Sequence, residues 1–312
     1  MSLNGETDKK MRTVEFFNMY FEKFRYIFLS NLLFIIFDLI AAGWVYLTIV
    51  LLGGFNVIAA ASAAIVLNVG MAGVTSVCRY VYTKKEFSAV KTFFRGIKEN
   101  WLKFLLHGII LYVLFAVSYS STALYYSGTK TNFIFWVPLV ITGLISLLVL
   151  FASYYVNIMT VTMDISLKNI YRNCLLFSFG EIKNNFFATI ALLIFGAVVF
   201  TIAVILNNLA AIVIVCGMIA VLIAPSTIQY IITFYVYDDM IGILDESRKN
   251  ESEEEDGAEK TGHSATEIET EEAKEISRLA PDTNDEYIFH NGKMIKRSAV
   301  EKQLGENIAD DF

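Results

Sequence analysis

Six long apolar stretches limit what this sequence can fold into. They run approximately from Ile27 to Leu51, Val57 to Val81, Leu102 to Tyr125, Phe133 to Val161, Phe186 to Leu206 and Leu209 to Tyr235. A helix rises 1.5 Å per residue, so roughly 20 apolar residues cross the hydrocarbon core of a bilayer. A helix also satisfies its own backbone polar groups where no water is present. The sequence therefore predicts an all-α, polytopic transmembrane helical bundle with about six spans.

The six stretches come in pairs that are separated by short polar breaks. These breaks are Gly53 to Asn56, Ser127 to Asn132, and the pair Asn207-Asn208. Glycine and asparagine suit chain reversals, because glycine adopts left-handed backbone conformations without strain and asparagine tolerates them. The spans are thus expected to form three helical hairpins.

Each pair follows a segment with large apolar residues at helical spacing. In the clearest example, basic residues fall between the apolar ones, which are Phe87, Val90, Phe94, Ile97 and Trp101. This pattern predicts an amphipathic helix at the membrane interface before each hairpin. The predicted interfacial anchors are Lys98, Asn100, Trp101, Lys183, Asn185 and Phe186.

The segment from Ile97 to Trp101 is similar to the segment from Ile182 to Phe186. We interpret the chain as three units, each an interfacial helix followed by a hairpin, inserted in the same orientation. Chance similarity between apolar segments is the alternative, because such patterns are degenerate.

Positively charged residues predict the orientation of the spans. The segment before span one, the loop between spans two and three, and the loop between spans four and five are rich in Lys and Arg, whereas the opposite breaks contain only Lys130. Because Lys and Arg near span ends are retained in the cytoplasm, both termini are expected there. We divide the chain into an N-terminal interfacial segment (1–25), a transmembrane domain (26–244) and a C-terminal tail (245–312).

The C-terminal tail differs from the rest of the chain in charge. It carries 9 Lys and Arg against 20 Asp and Glu, a composition typical of a disordered tether. Within 286–297, an Asn-Gly pair between two runs that contain apolar residues predicts a β-hairpin. It is either a partner-binding element, which would act by strand addition, or a fluctuating turn. Its candidate residues are Tyr287, Phe289, Asn291, Gly292 and Ile295.

Several function classes lack support in the sequence. The tail is acidic and the remainder is only mildly basic, so nucleic-acid binding is not expected. Cys78, Cys174 and Cys216 lie far apart, without metal-ligand spacing. The sequence contains no phosphate-binding loop, zinc-protease helix or nucleophile elbow. We therefore expect no cofactor, no metal and no enzymatic activity.

Three segments carry a family resemblance. The run from Gly70 to Thr75, followed by Arg79-Tyr80, and the run from Phe93 to Trp101 resemble the YesL family of bacterial membrane proteins, as does Asn31-Leu32-Leu33. The chain departs from that family in lacking a proline at the start of span two and an acidic residue before Phe93. The resemblance implies a location in a bacterial cell membrane and an association with carbohydrate uptake systems. It implies no site residues.

Polar groups inside the spans are the candidate functional residues. An ionised Asp38 near the middle of span one would cost about 2.5–3.5 kcal/mol on insertion scales. Asn68 is its candidate partner, and Gln229, with Ser226 and Thr227 after Pro225, is a candidate lining group of the same polar site. The site would bind a proton, a cation or a polar substrate. The structural alternative is a protonated or hydrogen-bonded packing residue.

Two functions follow from these features. The first is a non-enzymatic accessory or regulatory component of a transport or envelope system, which uses its tail to dock a transport-system or cytoplasmic protein. The second is a small transporter or lipid-handling protein with its site around Asp38. Membrane lipids are expected partners in both.

Overall fold

The computed structural model describes residues 14–83, 86–238, 240–242, 287–290 and 293–296. Almost all of them are helical. The elements are α1 (14–22), α2 (Phe24–Leu52), α3 (Val57–Ala61), α4 (Ala64–Tyr82), α5 (Ala89–Thr129), a 3-10 turn (Phe133–Phe135), α6 (Trp136–Thr162), α7 (Leu167–Gly180), α8 (Ile182–Leu206), α9 (Leu209–Leu222), α10 (Ala224–Gly242), β1 (Tyr287–His290) and β2 (Lys293–Lys296).

The lengths and hydropathy of the helices match membrane spans. Within the described residues, five helical segments are long and apolar enough to cross a bilayer. A sixth span arises if α9 and α10 are taken together, although they are bent by 49° at Ile223. The predicted helical, multi-pass membrane architecture is confirmed.

The three predicted hairpin turns use the residue types that the sequence places there. Gly53 after α2 and Asn207 after α8 have φ angles of 67° and 41°, in the left-handed region. The helical segment after each turn begins with an asparagine whose side chain accepts a backbone N–H bond. These residues lie at equal intervals along the chain and are Asn56, Asn132 and Asn208.

The segment before the second hairpin differs from the prediction. We expected a separate interfacial helix before Leu102, but residues Ala89–Thr129 form one uninterrupted helix of 41 residues. At 1.5 Å per residue it is roughly 60 Å long, about twice the hydrocarbon thickness. In the other two units the helix is interrupted, at Lys23 between α1 and α2 and at Glu181 between α7 and α8.

The buried core lies at one end of the spans. We call the end that carries Arg79, Lys103 and Lys183 the basic end, and the opposite end the turn end. Side chains with exposures of 9% or less concentrate in the basic halves of the helices, for instance in Ser226–Tyr237 of α10. At the turn end, by contrast, Leu51 is 73% exposed. A membrane explains this apolar exposure, because lipid replaces water around the turn-end halves.

Helices α4 and α5 pack closely at glycines. A Cβ atom at Gly108 would lie 3.0 Å from the Cα of Ile65, and one at Gly96 would lie 2.7 Å from the backbone oxygen of Ala72. Small residues at these positions let two helix backbones approach, as is common between membrane helices. This close contact holds α5, from the second predicted repeat, against α4, from the first.

The two strands belong to a compact unit separate from most of the helical chain. They pair in antiparallel register, Tyr287 opposite Lys296 and His290 opposite Lys293. Asn291 and Gly292, where the sequence predicts the turn, lie outside the described residues.

Candidate functional site: a polar core at the basic end

The core at the basic end contains many polar side chains. Those with exposures of 7% or less include Ser30, Asn31, Asn68, Thr75, Arg79, Asn100, His107, Asn185, Ser226, Thr227 and Gln229. A polar group taken out of water destabilises the protein unless it forms a hydrogen bond. The partners of these groups therefore indicate which of them stabilise the fold and which are available to a ligand.

The side chain of Asn31 connects the two halves of the bent span. Its Nδ2 donates to the carbonyl oxygens of Leu222 and Ile223 at 2.9 and 3.1 Å, and its Oδ1 accepts from the backbone N–H of Ser226 at 2.8 Å. In a continuous helix the N–H of Ser226 would donate to the carbonyl of Leu222. The amide of Asn31 is thus inserted into this backbone hydrogen bond.

The sequence explains why the helix breaks at this point. Pro225 is the second residue of α10 and has no backbone N–H, so the carbonyl of Val221, four residues earlier, loses its helical partner. A side chain inserted into the backbone ladder is a recognised cause of a sharp bend. Asn31 supplies that side chain from α2, and it is itself fully buried. Pro138, in contrast, lies in the first turn of α6 and does not interrupt that helix.

Further polar groups surround the break. The Oγ1 of Thr227 is 2.9 Å from the hydroxyl of Tyr20 in α1. Burial raises the pKa of Tyr20 above its ordinary value, so this phenol keeps its proton at neutral pH. The Sγ of Cys78 lies 3.5 Å from the carbonyl oxygen of Ser226.

Three hydroxyls near the break are buried without a hydrogen-bond partner among the described residues. They are the hydroxyls of Ser30, Thr75 and Ser226. Ser30 is adjacent to Asn31 on α2, Thr75 lies one turn before Cys78 on α4, and Ser226 is in α10. The three hydroxyls therefore belong to the helices that meet at the break. Buried polar groups are rarely left unpaired. We call Ser30, Asn31, Thr75, Cys78 and Ser226 the break cluster.

A second polar contact lies one turn further along α10. The Nδ2 of Asn157 in α6 is 3.4 Å from the Oε1 of Gln229, which is 1% exposed. Gln229 is one of the predicted site residues, whereas Asn157 is not. Because Gln229 lies three residues after Ser226, the two side chains lie near one face of α10.

The predicted three-residue site is not joined by hydrogen bonds. Asp38 and Asn68 lie on α2 and α4, which pack together where Gly70 faces Phe37. Within the described chain, neither the Oδ2 of Asp38 nor the Nδ2 of Asn68 has a hydrogen-bond partner, so no bond links them through these atoms. Gln229 instead contacts Asn157.

The predicted interfacial anchors fall into two groups. Lys98, Trp101, Lys183 and Phe186 are exposed. The two asparagines are buried and bond backbone carbonyls. Asn100 donates to Gly96 at 3.1 Å, and Asn185 donates to Phe177 and Ser178 at 3.3 Å. Asn185 therefore bridges the break between α7 and α8.

His107 has one polar partner in the described chain. Its Nδ1 lies 2.7 Å from the hydroxyl of Tyr171 in α7. Burial raises the pKa of Tyr171 to about 12, so the phenol is protonated at neutral pH. Among the described residues, no three His, Cys, Asp or Glu side chains are placed to hold a metal ion.

Comparison with known proteins returned no matching family model, no matching curated protein and no matching solved structure. The resemblance to the YesL family stays a prediction.

Proposed function

We propose that this chain is a multi-pass protein of a bacterial cell membrane that binds a small polar solute in the polar core at its basic end. The observation that carries the proposal is the break cluster, in which buried hydroxyls without described partners lie on α2, α4 and α10, and Asn31 is inserted at the bend of the broken span. Broken helices near polar groups are a common way to present backbone and side-chain groups to a substrate inside a membrane. We place both termini in the cytoplasm, from the distribution of Lys and Arg.

Movement at the break would couple binding to transport. The amide of Asn31 donates to backbone carbonyls and accepts from a backbone N–H. A polar solute that entered the break could form hydrogen bonds with these same backbone groups. A solute that bonds these groups changes the relative stability of the bent and straight spans. This proposal is the transporter alternative of the sequence analysis, with the site moved from Asp38 to the break cluster.

The unpartnered hydroxyls allow a test that does not disrupt the fold. The double variant Thr75→Val, Ser226→Ala removes two buried groups that make no described side-chain hydrogen bond, so its thermal stability is expected to equal or exceed that of the wild type. If the hydroxyls bind a solute, affinity falls about tenfold or more.

The measurement uses full-length protein in vesicles with radiolabelled glycerol, glucose, glutamine and phosphate as probes. The matched control is Ser146→Ala, whose hydroxyl bonds the carbonyl of Thr142 in the same helix. Retention of one probe by the wild type and the control, but not by the double variant, supports the proposal. Wild-type protein that retains none of the four probes contradicts it.

The paired strands favour a second candidate, the accessory component with a docking tail. A short hairpin is marginally stable alone and gains stability when its edge pairs with a partner strand. Deletion of 245–312 is then expected to remove a protein that crosslinks to the full-length chain in native membranes. Replacing only Gly292 with valine, which disfavours the tight turn, should give the same loss. Partner recovery that survives both changes argues against docking through the tail.

A further inference from the structure

The contact between Asn157 and Gln229 leaves hydrogen-bonding capacity unused. Two carboxamides can pair through two N–H···O bonds, since each offers a donor and an acceptor. Here only one contact is made, from the Nδ2 of Asn157 to the Oε1 of Gln229, and at 3.4 Å it is long. The Nε2 of Gln229 and the Oδ1 of Asn157 are buried without a partner in the described part of the chain.

The unused atoms form a matched set of one donor group and one acceptor. A hydroxyl group can accept from the Nε2 of Gln229 and donate to the Oδ1 of Asn157 at the same time. A carboxylate could accept but not donate, and an ammonium group could donate but not accept. The chemistry of the pair therefore favours an uncharged group that both donates and accepts, and a hydroxyl is the smallest such group on an organic solute.

Ser226 extends this set along α10. Its hydroxyl, also without a described partner, lies three residues before Gln229, a rise of about 4.5 Å along the helix axis. No charged side chain is among the hydrogen-bond partners of these three residues in the described ranges. A charged ligand buried there would lack the counter-charge that it needs. The set thus suits an uncharged molecule with more than one hydroxyl.

We infer that Asn157, Gln229 and Ser226 recognise an uncharged polyhydroxylated solute, with one of its hydroxyls bound between the two carboxamides. This inference rests on the proposed function and specifies its substrate class. A single buried water would meet the same two atoms, and the experiment separates a solute from water.

The test uses full-length protein in lipid nanodiscs with glycerol and glucose as probes. Fully O-methylated methyl glucoside serves as a comparison, because it keeps the ring but cannot donate hydrogen bonds. Gln229→Met and Asn157→Leu are each expected to weaken glucose binding about tenfold. The methylated analogue should bind wild-type protein weakly.

The control is Thr233→Val, one turn further along α10, whose hydroxyl donates to the backbone carbonyl of Gln229. It should bind glucose like the wild type. Monodisperse elution and unchanged melting temperatures of the carboxamide variants exclude misfolding as the cause of a loss.

The possible failures can be told apart. If wild-type protein retains glutamine or phosphate but neither glycerol nor glucose, the inference is wrong while the proposed function stands. The same holds if glucose binds equally to the wild type and both carboxamide variants. If no probe is retained, the pair holds only water and both proposals fall.

Discussion

Replacement of Asn31 with leucine is expected to lower the free energy of unfolding by about 3 kcal/mol or more. The substitution removes three hydrogen bonds, to the carbonyls of Leu222 and Ile223 and from the N–H of Ser226. Because Asn31 is fully buried, water cannot replace these bonds. The carbonyl of Ile223 keeps the backbone N–H of Thr227 at 3.2 Å, whereas the carbonyl of Leu222 and the N–H of Ser226 are left unpaired, at a cost of about 1–3 kcal/mol each. Unfolding in detergent mixtures, followed by helical circular dichroism, measures the loss.

Asn100→Leu is the matched control for this prediction. Asn100 is also buried, at 3% exposure, and also donates to a backbone carbonyl, that of Gly96. That carbonyl lies within the continuous helix α5, where the N–H of residue 100 already provides its helical partner. The loss is therefore expected to be about 1 kcal/mol. Equal losses in the two variants would show that Asn31 has no special function at the break.

The helical architecture could be predicted because it depends on local properties of the sequence. Length and hydropathy identify spans, and glycine or asparagine marks the turns, as at Gly53 and Asn207. The continuity of α5 could not be predicted in the same way. An amphipathic segment followed by a span shows the same spacing of apolar residues in two cases. The two parts can form one continuous helix, or a non-helical residue can separate them. The chain breaks at Glu181 but not at the corresponding point before Leu102.

The candidate site was predicted only in part, for a physical reason. Gln229, Ser226 and Thr227 stand out because they are polar residues that follow a proline in an apolar stretch. Asn31 lies in an equally apolar stretch, but its function depends on the backbone groups that it meets at the end of α9 and the start of α10. Which groups it meets depends on the packing of α2 against the bent span. Asn157 was missed for a similar reason, since its partner is on a helix distant in sequence.

Two asparagines illustrate how tertiary contacts assign different functions to similar residues. Asn31 bonds the end of a helix far along the chain, whereas Asn185 bonds the carbonyls of Phe177 and Ser178 in the helix just before its own. Both satisfy carbonyl groups at a helix end that is buried in the core. In a membrane protein such groups require a partner from the protein. The breaks at Ile223 and at Glu181 therefore each coincide with a buried asparagine.

Substitution of Gly96 with alanine is the second change with a large expected effect. The added Cβ would lie 2.7 Å from the backbone oxygen of Ala72 and in contact with the Oγ of Ser76. The Oγ of Ser76 already donates to that same oxygen at 2.8 Å. A backbone atom has no rotamer by which to avoid the methyl group, so α4 and α5 must separate. We expect a loss of about 2 kcal/mol, within the range for overpacked cores.

Gly143→Ala is the control in the same experiment, and it is expected to give the opposite result. A Cβ atom at Gly143, in the interior of α6, would meet nothing within 4 Å. Alanine in a helix interior is favoured over glycine by about 0.5–1 kcal/mol. The control should therefore be as stable as the wild type or slightly more stable. Gly96→Ala should be less stable than the wild type, although alanine gives it the same gain in helix propensity. If both variants gain stability, the close contact between α4 and α5 does not exist, and the two units are held together elsewhere.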